Sequence, residues 1–186
     1  MIVGVGGQGT LLASKVLGQL FLNEGFDVKV SEVHGMSQRG GSVVTYVRFG
    51  KECHSPVICS GEADFILSFE KLEAARYIQC LSETGIVLTN DQEIAPMPVI
   101  TGAAEYPHEI LQTLTDLGAR VVRLDALSLA RQAGSVKAVN IVLLGKLSTF
   151  FSFTEEAWLT ALQAVIPQKL YELNRTAFLL GRGQPE

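Results

Sequence analysis

The stretch Ile2-Val3-Gly4-Val5-Gly6-Gly7-Gln8-Gly9-Thr10 constrains the fold more than any other part of the chain. A short apolar run is followed by a glycine-rich turn and then by a long apolar segment with a helical period. That order predicts a strand over Ile2–Val5, a tight loop, and a helix from Thr10 that closes near Gly25. The glycines follow the G-x-G-x-x-G spacing at Gly4, Gly6 and Gly9. A loop of this kind lets backbone N–H groups approach a phosphate, and the positive end of the following helix favours the same charge. Gly6, Gly7, Gln8 and Gly9 are therefore candidate cofactor-binding residues. Glu32, about 20 residues on, stands where a dinucleotide-binding domain places its ribose-binding acid. The bland alternative is that the glycines only let strand and helix pack closely.

Further along, Asp27–Val33 and Ser42–Phe49 alternate like strands; Gly50-Lys51 reads as a turn and Glu52–Ile58 as a return, giving a hairpin or a pair of strands. Ala63–Phe69 is a buried strand by its continuous apolar run. Glu70–Leu81 reads as a helix with apolar residues every third position, and Gly85 precedes a strand at IVLTN. The PMPV stretch is expected to lead into a short strand. A helix from Pro107, closed by Gly118, is followed by a strand at ARVVRLDA. The segments 127–133, 136–150, 155–166 and 168–180 all read helical, with Thr154 as an N-cap before Glu155 and Glu156. Alternating strands and helices predict one three-layer α/β/α Rossmann-like domain over residues 1–186, with a mostly parallel sheet and a helical C-terminal third. The first strand is short, so its edge contacts are in question.

Net charge excludes some partners. At −4, the chain has no basic footprint for nucleic acid. No apolar run approaches the roughly 20 residues of a membrane span, and no basic-then-apolar leader opens the chain, so a cytoplasmic location is expected. Charged residues make up only 18%, below the usual ~25%, which leaves room for an apolar face covered by a partner. His34, His54 and His108 lack metal-ligand spacing, and Cys53, Cys59 and Cys80 match no iron–sulfur run. No catalytic residue and no metal site is expected in this chain.

The second unusual stretch is Ser31-Glu32-Val33-His34-Gly35-Met36-Ser37-Gln38-Arg39-Gly40-Gly41-Ser42. It follows Glu32 directly, where a dinucleotide-binding protein would carry an ordinary loop and helix. His34 and Arg39 can hold an anion, and Gly40-Gly41 permit a close backbone approach; a solvated loop with turn glycines is the alternative.

Together, GVGGQGTLLASKVLG and SEVHGMSQRGGSVVTYVRFG closely resemble the gamma-type domain of the 2-oxoacid:ferredoxin oxidoreductases, with the beta subunits of the indolepyruvate-type enzymes as the nearer match. The likeness continues through SPVICSGEADFILSFEKLEAARY, IVLTN, EYP, VNIVLLGKLS and PQKLYELNRTAFLLGRG. The resemblance implies a subunit of an enzyme that oxidatively decarboxylates 2-oxoacids to acyl-coenzyme A and reduces ferredoxin. It implies thiamine diphosphate, magnesium, iron–sulfur clusters and coenzyme A for the complex, with the thiamine and clusters on a large alpha subunit. The chain has neither a thiamine motif nor cluster cysteines, in keeping with that division. Glu32, His34, Ser37, Gln38, Arg39, Gly40, Gly41 and Ser42 become candidates for the interface or for substrate access, and Gly6–Gly9 could meet a phosphate of coenzyme A. Substrate choice stays open between indolepyruvate and another oxoacid such as pyruvate or a branched-chain one. A free-standing nucleotide-binding protein and a scaffold without ligand are the other classes.

Overall fold

A computed structural model describes residues 1–33 and 41–185. Six strands form one sheet: β1 (Ile2–Val5), β2 (Asp27–Glu32), β3 (Ser42–Gly50), β4 (Ala63–Ser68), β5 (Leu81–Asn90) and β6 (Arg120–Leu124). Their order across the sheet is β2-β3-β1-β4-β5-β6. The contacts β1–β4, β4–β5 and β5–β6 are parallel, whereas β3 runs antiparallel to both β1 and β2. The sheet is thus mostly parallel, with β3 as the one reversed strand among the described residues. Although short, β1 is not exposed at an edge. Val3 faces Val44 on one side and Ser68 on the other.

Helices cover both faces. On one side lie α1 (Thr10–Asn23), α5 (Ala126–Gln132), α6 (Val139–Leu147), α7 (Glu155–Val165) and α8 (Gln168–Arg182), packed on Ile2, Leu67, Ile86, Leu88 and Val122. On the other, α2 (Lys71–Arg76) and α4 (Ile110–Asp116) bury Ala74, Leu111 and Leu114 against Val3, Val44, Ile66 and Val87. This is the expected three-layer α/β/α arrangement with a helical C-terminal third. A four-residue helix, α3 (Met97–Ile100), sits between β5 and α4.

Several local expectations hold. Gly25 has φ 83° and closes α1, with the Phe26 amide donating to the Phe21 carbonyl at 3.0 Å. Thr154 caps α7, accepting from the Ala157 amide at 3.2 Å. Trp158, Ala161 and Leu162 are buried on the inward stripe of that helix.

Three expectations do not. The hairpin at Ser42–Ile58 is absent, because β3 already has a partner on each side and offers no edge to a returning strand. Residues 51–62 form an irregular loop instead, held by side chains: Arg48 donates to the Val57 carbonyl at 2.8 Å, and the Cys53 amide to Asp27 at 2.9 Å. The true hairpin joins β2 to β3. The helix expected over 70–81 ends at Arg76, a 3₁₀ turn covers Ile78–Cys80, and Leu81 already opens β5. Apolar residues at every third position suit a 3₁₀ turn as well as an α-helix, which explains the over-extension. The PMPV stretch forms α3 rather than leading into a strand, because Pro96 at the N-cap and Pro98 in the first turn start a helical turn.

The C-terminal third is locked by an approach that only glycine permits. A Cβ on Gly145 of α6 would lie 2.0 Å from the Phe178 carbonyl oxygen, and one on Gly181 of α8 would lie 1.9 Å from that of Val142. The two helices therefore touch backbone to backbone. Gly145→Ala should push them apart and destabilise the chain by about 1–3 kcal/mol. For a chain of this size that is a fall in Tm of roughly 2–12 °C, read by thermal unfolding.

Candidate functional site

The carboxyl ends of β1, β4, β5 and β6 gather the polar side chains of interest. In open α/β sheets this edge binds ligands, at the point where the strand order reverses. Here that point lies between β1 and β4, and side-chain amides close it. The Gln8 Oε1 accepts from the Val5 amide at 2.7 Å, and its Nε2 donates to the Phe69 carbonyl at 3.1 Å. The same carbonyl receives Asn90 Nδ2 at 3.3 Å, while Asn90 Oδ1 accepts from the Ala126 amide at 3.1 Å. Gln8 and Asn90 thus lace the tips of β1, β4 and β5 to the start of α5. Gly4 has to be glycine for this, since a Cβ there would stand 2.9 Å from Gln8 Oε1.

The rest of the first loop faces outward. Gly9 precedes α1 with φ 87°, a conformation that favours glycine. Its carbonyl accepts from Asn140 Nδ2 at 3.2 Å, which pins the loop to α6. Gly6, Gly7, Gly9, Thr10, Glu32, Val43 and Thr45 line an open concavity. Unpaired amides at a helix start suit an oxyanion, whereas the Glu32 carboxylate in the same hollow suits a hydroxyl group. The arrangement departs from a dinucleotide site in one respect. Glu32 belongs to β2, which is separated from β1 by β3; its cross-strand neighbour is Thr45.

The second glycine run is the loop of the β2–β3 hairpin. His34, Ser37, Gln38, Arg39 and Gly40 lie outside the described residues, as do Gly35 and Met36. Both stems of the run are described. Glu32 Oε1 accepts from Ser14 on α1 at 3.1 Å, and the Val33 amide donates to the Val44 carbonyl at 3.1 Å. On the other stem the Gly41 carbonyl accepts from the Gly6 amide at 2.9 Å, so the two glycine runs touch. Ser42 is half-buried and donates its hydroxyl to Glu73 on α2.

Two carboxylates of α2 were not singled out in the sequence. Glu70 is 1% exposed and caps α2, accepting from the Glu73 amide at 3.0 Å; it also receives the Ile94 amide at 3.2 Å and the Tyr106 hydroxyl. Burial first, and then Glu70, push the Tyr106 phenol well above its usual range. Glu73 is 4% exposed and receives Ser42 and, at 2.9 Å, Arg76 Nε. The signal for both was the E-x-x-E spacing just after a buried strand, the sequence form of a capped helix start. Nearby, Lys71 bridges Asp91 at 2.7 Å and Glu93 at 3.2 Å, Arg123 reaches Asp91 at 3.0 Å, and His108 Nδ1 lies 2.8 Å from Glu93.

Among the described residues no three His, Cys, Asp or Glu side chains are grouped to hold a metal. Cys53, Cys59 and Cys80 are free thiols. Iron–sulfur clusters and a magnesium–diphosphate group therefore do not fit the donors present in the described part of this chain. A single phosphate would fit the amides of Gly7 and Gly9, since those of Gly6 and Gln8 already donate to the Gly41 and Val5 carbonyls.

Two outcomes test this edge. Gln8→Ala should leave the Val5 amide without its acceptor and cost about 1–3 kcal/mol in urea unfolding. Glu73 provides a pH signature. Burial raises its carboxyl above the ordinary value of 4.5, against the opposing pull of Ser42 and Arg76. The folded chain therefore takes up this proton at a higher pH than the unfolded one, and the group opposes folding increasingly as pH rises through its folded pKa. Relative to Glu73→Gln, the parent should gain stability as pH falls from 7 towards 4.5, read by urea unfolding across that range.

Comparison with known proteins fits this geometry. The family model described as pyruvate ferredoxin/flavodoxin oxidoreductase matches residues 1–184. The chain is 44% identical to the indolepyruvate oxidoreductase subunit IorB of Thermococcus kodakarensis, and 42% identical to that of Pyrococcus horikoshii. Each match covers 97% of this chain and 92% of the relative. Among solved structures, the gamma subunit of a keto/oxoacid ferredoxin oxidoreductase from Geobacter sulfurreducens superposes with a TM-score of 0.71 at 22% identity, over 97% of this chain and 93% of that one. The pyruvate oxidoreductase subunit PORC of Thermotoga maritima gives 0.72 at 22% identity, with the same coverage. At that identity the two structures speak to the fold, and they share its α/β architecture. With a family model spanning almost the whole chain and relatives above 40% identity, this chain belongs to the pyruvate ferredoxin/flavodoxin oxidoreductase family.

Proposed function

We propose that residues 1–186 act as one gamma-type domain, the beta subunit of an indolepyruvate-type 2-oxoacid:ferredoxin oxidoreductase. The observation that carries this reading is the 36–44% identity, over nearly the whole chain, to four proteins named indolepyruvate oxidoreductase subunit IorB. The complex would oxidatively decarboxylate aryl 2-oxoacids, form acyl-coenzyme A and reduce ferredoxin. Thiamine diphosphate, magnesium and the iron–sulfur clusters would sit on a large alpha subunit, since the donors described in this chain suit none of them. This chain contributes a face. Glu32, Gly41 and Ser42 form the stems of that face, and His34, Ser37, Gln38, Arg39 and Gly40 make up the run between them. The run would meet the alpha subunit near the entrance to its active site, with Arg39 placed on a carboxylate or phosphate there. Gly6, Gly7, Gln8 and Gly9 stand beside Gly41, and the amides of Gly7 and Gly9, which no described carbonyl engages, are the place for a phosphate of coenzyme A. Cytoplasm is the compartment consistent with these roles; no helix among the described residues is long and apolar enough to cross a membrane.

A free-standing nucleotide binder is the reading of a different class. It is disfavoured by Gln8, which fills the crevice between β1 and β4, and by β3, which separates Glu32 from β1.

The test is reconstitution. The chain expressed alone should be colourless and show no turnover of indolepyruvate with added thiamine diphosphate, coenzyme A and a ferredoxin-level acceptor. Expressed with its large partner, it should copurify in a brown complex that turns over. With a role at the contact and none in folding, Arg39→Ala should shift stability by only about 0.5 kcal/mol and leave Tm within about 2 °C, yet lower complex yield or turnover. Turnover by the isolated chain would refute the proposal. Micromolar binding of NAD by calorimetry, lost in Glu32→Ala, would favour the nucleotide reading.

A further inference from the structure

Pairing of β4 with β5 brings two of the chain's three cysteines to one place. The strands run parallel, with Ala63 opposite Leu81. The pairing continues backwards along both segments: the Gly61 amide donates to the Gln79 carbonyl at 3.0 Å, and the Ser60 hydroxyl to the same oxygen at 2.8 Å. Glu62 and Cys80 lie between the 61–79 and 63–81 contacts, so they are neighbours at one strand spacing, about 4.8 Å. Cys59 is folded onto Glu62 by a tight turn. The Glu62 amide donates to the Cys59 carbonyl at 3.3 Å, and the Cys59 amide to the Glu62 carboxylate at 2.9 Å. Such a turn keeps its end residues within about 7 Å. Both cysteines thus stand next to one residue, and a disulfide spans Cα atoms about 4.4–6.8 Å apart.

Electrostatics reports the same proximity. Burial raises the Cys80 thiol above its ordinary value of 9.0, and the charge of Cys59 adds to the rise. Both thiols also add to the rise that burial gives the Tyr46 phenol of β3. The two differ in access, since Cys59 is exposed and Cys80 only partly so. The thiolate is the reactive form of cysteine. The exposed Cys59 therefore meets an oxidant first, and Cys80, held protonated, reacts second. Cys53 is set apart from both. It is buried, and its sulfur lies beside Gly50 at the end of β3, 3.6 Å from where a Cβ on that glycine would stand.

We infer that Cys59 and Cys80 form an oxidation site whose product is a disulfide within the chain. With hydrogen peroxide as oxidant, the Cys59 thiolate attacks one peroxide oxygen, the O–O bond breaks, and Cys59 becomes a sulfenic acid as hydroxide leaves. The hydroxide takes up the proton that Cys59 gave up. The Cys80 sulfur then attacks the Cys59 sulfur, the S–O bond breaks, and the departing hydroxyl leaves as water with the proton of Cys80. Two thiols are oxidised by two electrons in all, and one peroxide is reduced to two waters. The bond fastens the irregular loop at 51–62, held elsewhere by Arg48 and Asp27, to the start of β5. The site needs no partner, so it stands apart from the subunit reading above.

The test exposes the full chain to hydrogen peroxide at neutral pH, at a temperature where circular dichroism shows it folded. Mass spectrometry of unreduced peptides should find Cys59 joined to Cys80 in the monomer, with Cys53 still a thiol, and dithiothreitol should restore both partners. The oxidised chain should melt higher by roughly 2–10 °C, because the bond closes a loop of about 20 residues in the unfolded state. Cys80→Ser should stop the reaction at a sulfenic acid on Cys59, trapped by dimedone. Cys59→Ser, a change at an exposed position, should leave Cys80 reduced under the same exposure. A bond to Cys53, a bond between two copies, or dimedone found on Cys80 overturns the inference. So does Cys59 oxidised further while Cys80 stays a thiol. A disulfide that forms only after urea has unfolded the chain, or one that lowers Tm, also overturns it, because the fold then does not hold the two sulfurs together.

Discussion

The carbonyl oxygen of Phe69 holds the carboxyl edge of the sheet together. It lies just beyond β4, at the place where the strand order reverses, and two side-chain amides converge on it. Gln8 reaches it from the loop after β1, and Asn90 from the end of β5. Each amide then uses its own oxygen on a further backbone group, the Val5 amide for Gln8 and the Ala126 amide for Asn90. One acceptor thereby ties three strands and the start of α5. In a nucleotide-binding relative of this architecture the same crevice must stay open for the ligand. Here it is used to make the edge rigid, and a rigid edge suits the presentation of loops to a partner. The glycine loop keeps the form of a phosphate loop while its one amide side chain is spent on the protein's own backbone.

Reversal of β3 is the second element on which the site depends. By entering between β1 and β2, β3 makes β2 and β3 a hairpin and brings its entering end to the first glycine loop, with Gly41 bonded to Gly6. Gly6 and Gly41, far apart in the chain, are thereby joined. The cost to the dinucleotide reading follows from the same fact, since Glu32 is carried one strand further from β1.

Much of this was legible in the sequence because its cues are local. Glycines after a short apolar strand, Gly25 at the end of α1 and Thr154 before two glutamates each act within a few residues. The placement of β3 was not legible, since Ser42–Phe49 alternates identically whether its neighbours are β1 and β2 or a returning strand at 52–58. Pairing is decided by which edges are free, and that depends on the whole sheet. The roles of Glu70 and Glu73 were hidden for a related reason. On a helical reading both look like solvated acids, and only the folding of Ser42, Ile94 and Tyr106 onto α2 makes them internal. Asn90 and Asn140 likewise find their partners, the Phe69 and Gly9 carbonyls, only once the sheet and α6 have assembled.

Every residue of α6 is buried, and polar contacts mark both of its ends. Asn140 in its first turn holds the Gly9 carbonyl, and Lys146 in its last turn donates to the Gln184 carbonyl at 3.0 Å. Beside Lys146, Gly145 of α6 and Gly181 of α8 leave no side-chain layer between the two helices to absorb a displacement. Such a helix behaves as a strut. A load applied to the glycine loop is carried through the body of the domain to the tail of α8, instead of being dissipated in the loop. The end of the molecule furthest in sequence from the glycine loop is, in mechanical terms, its nearest support.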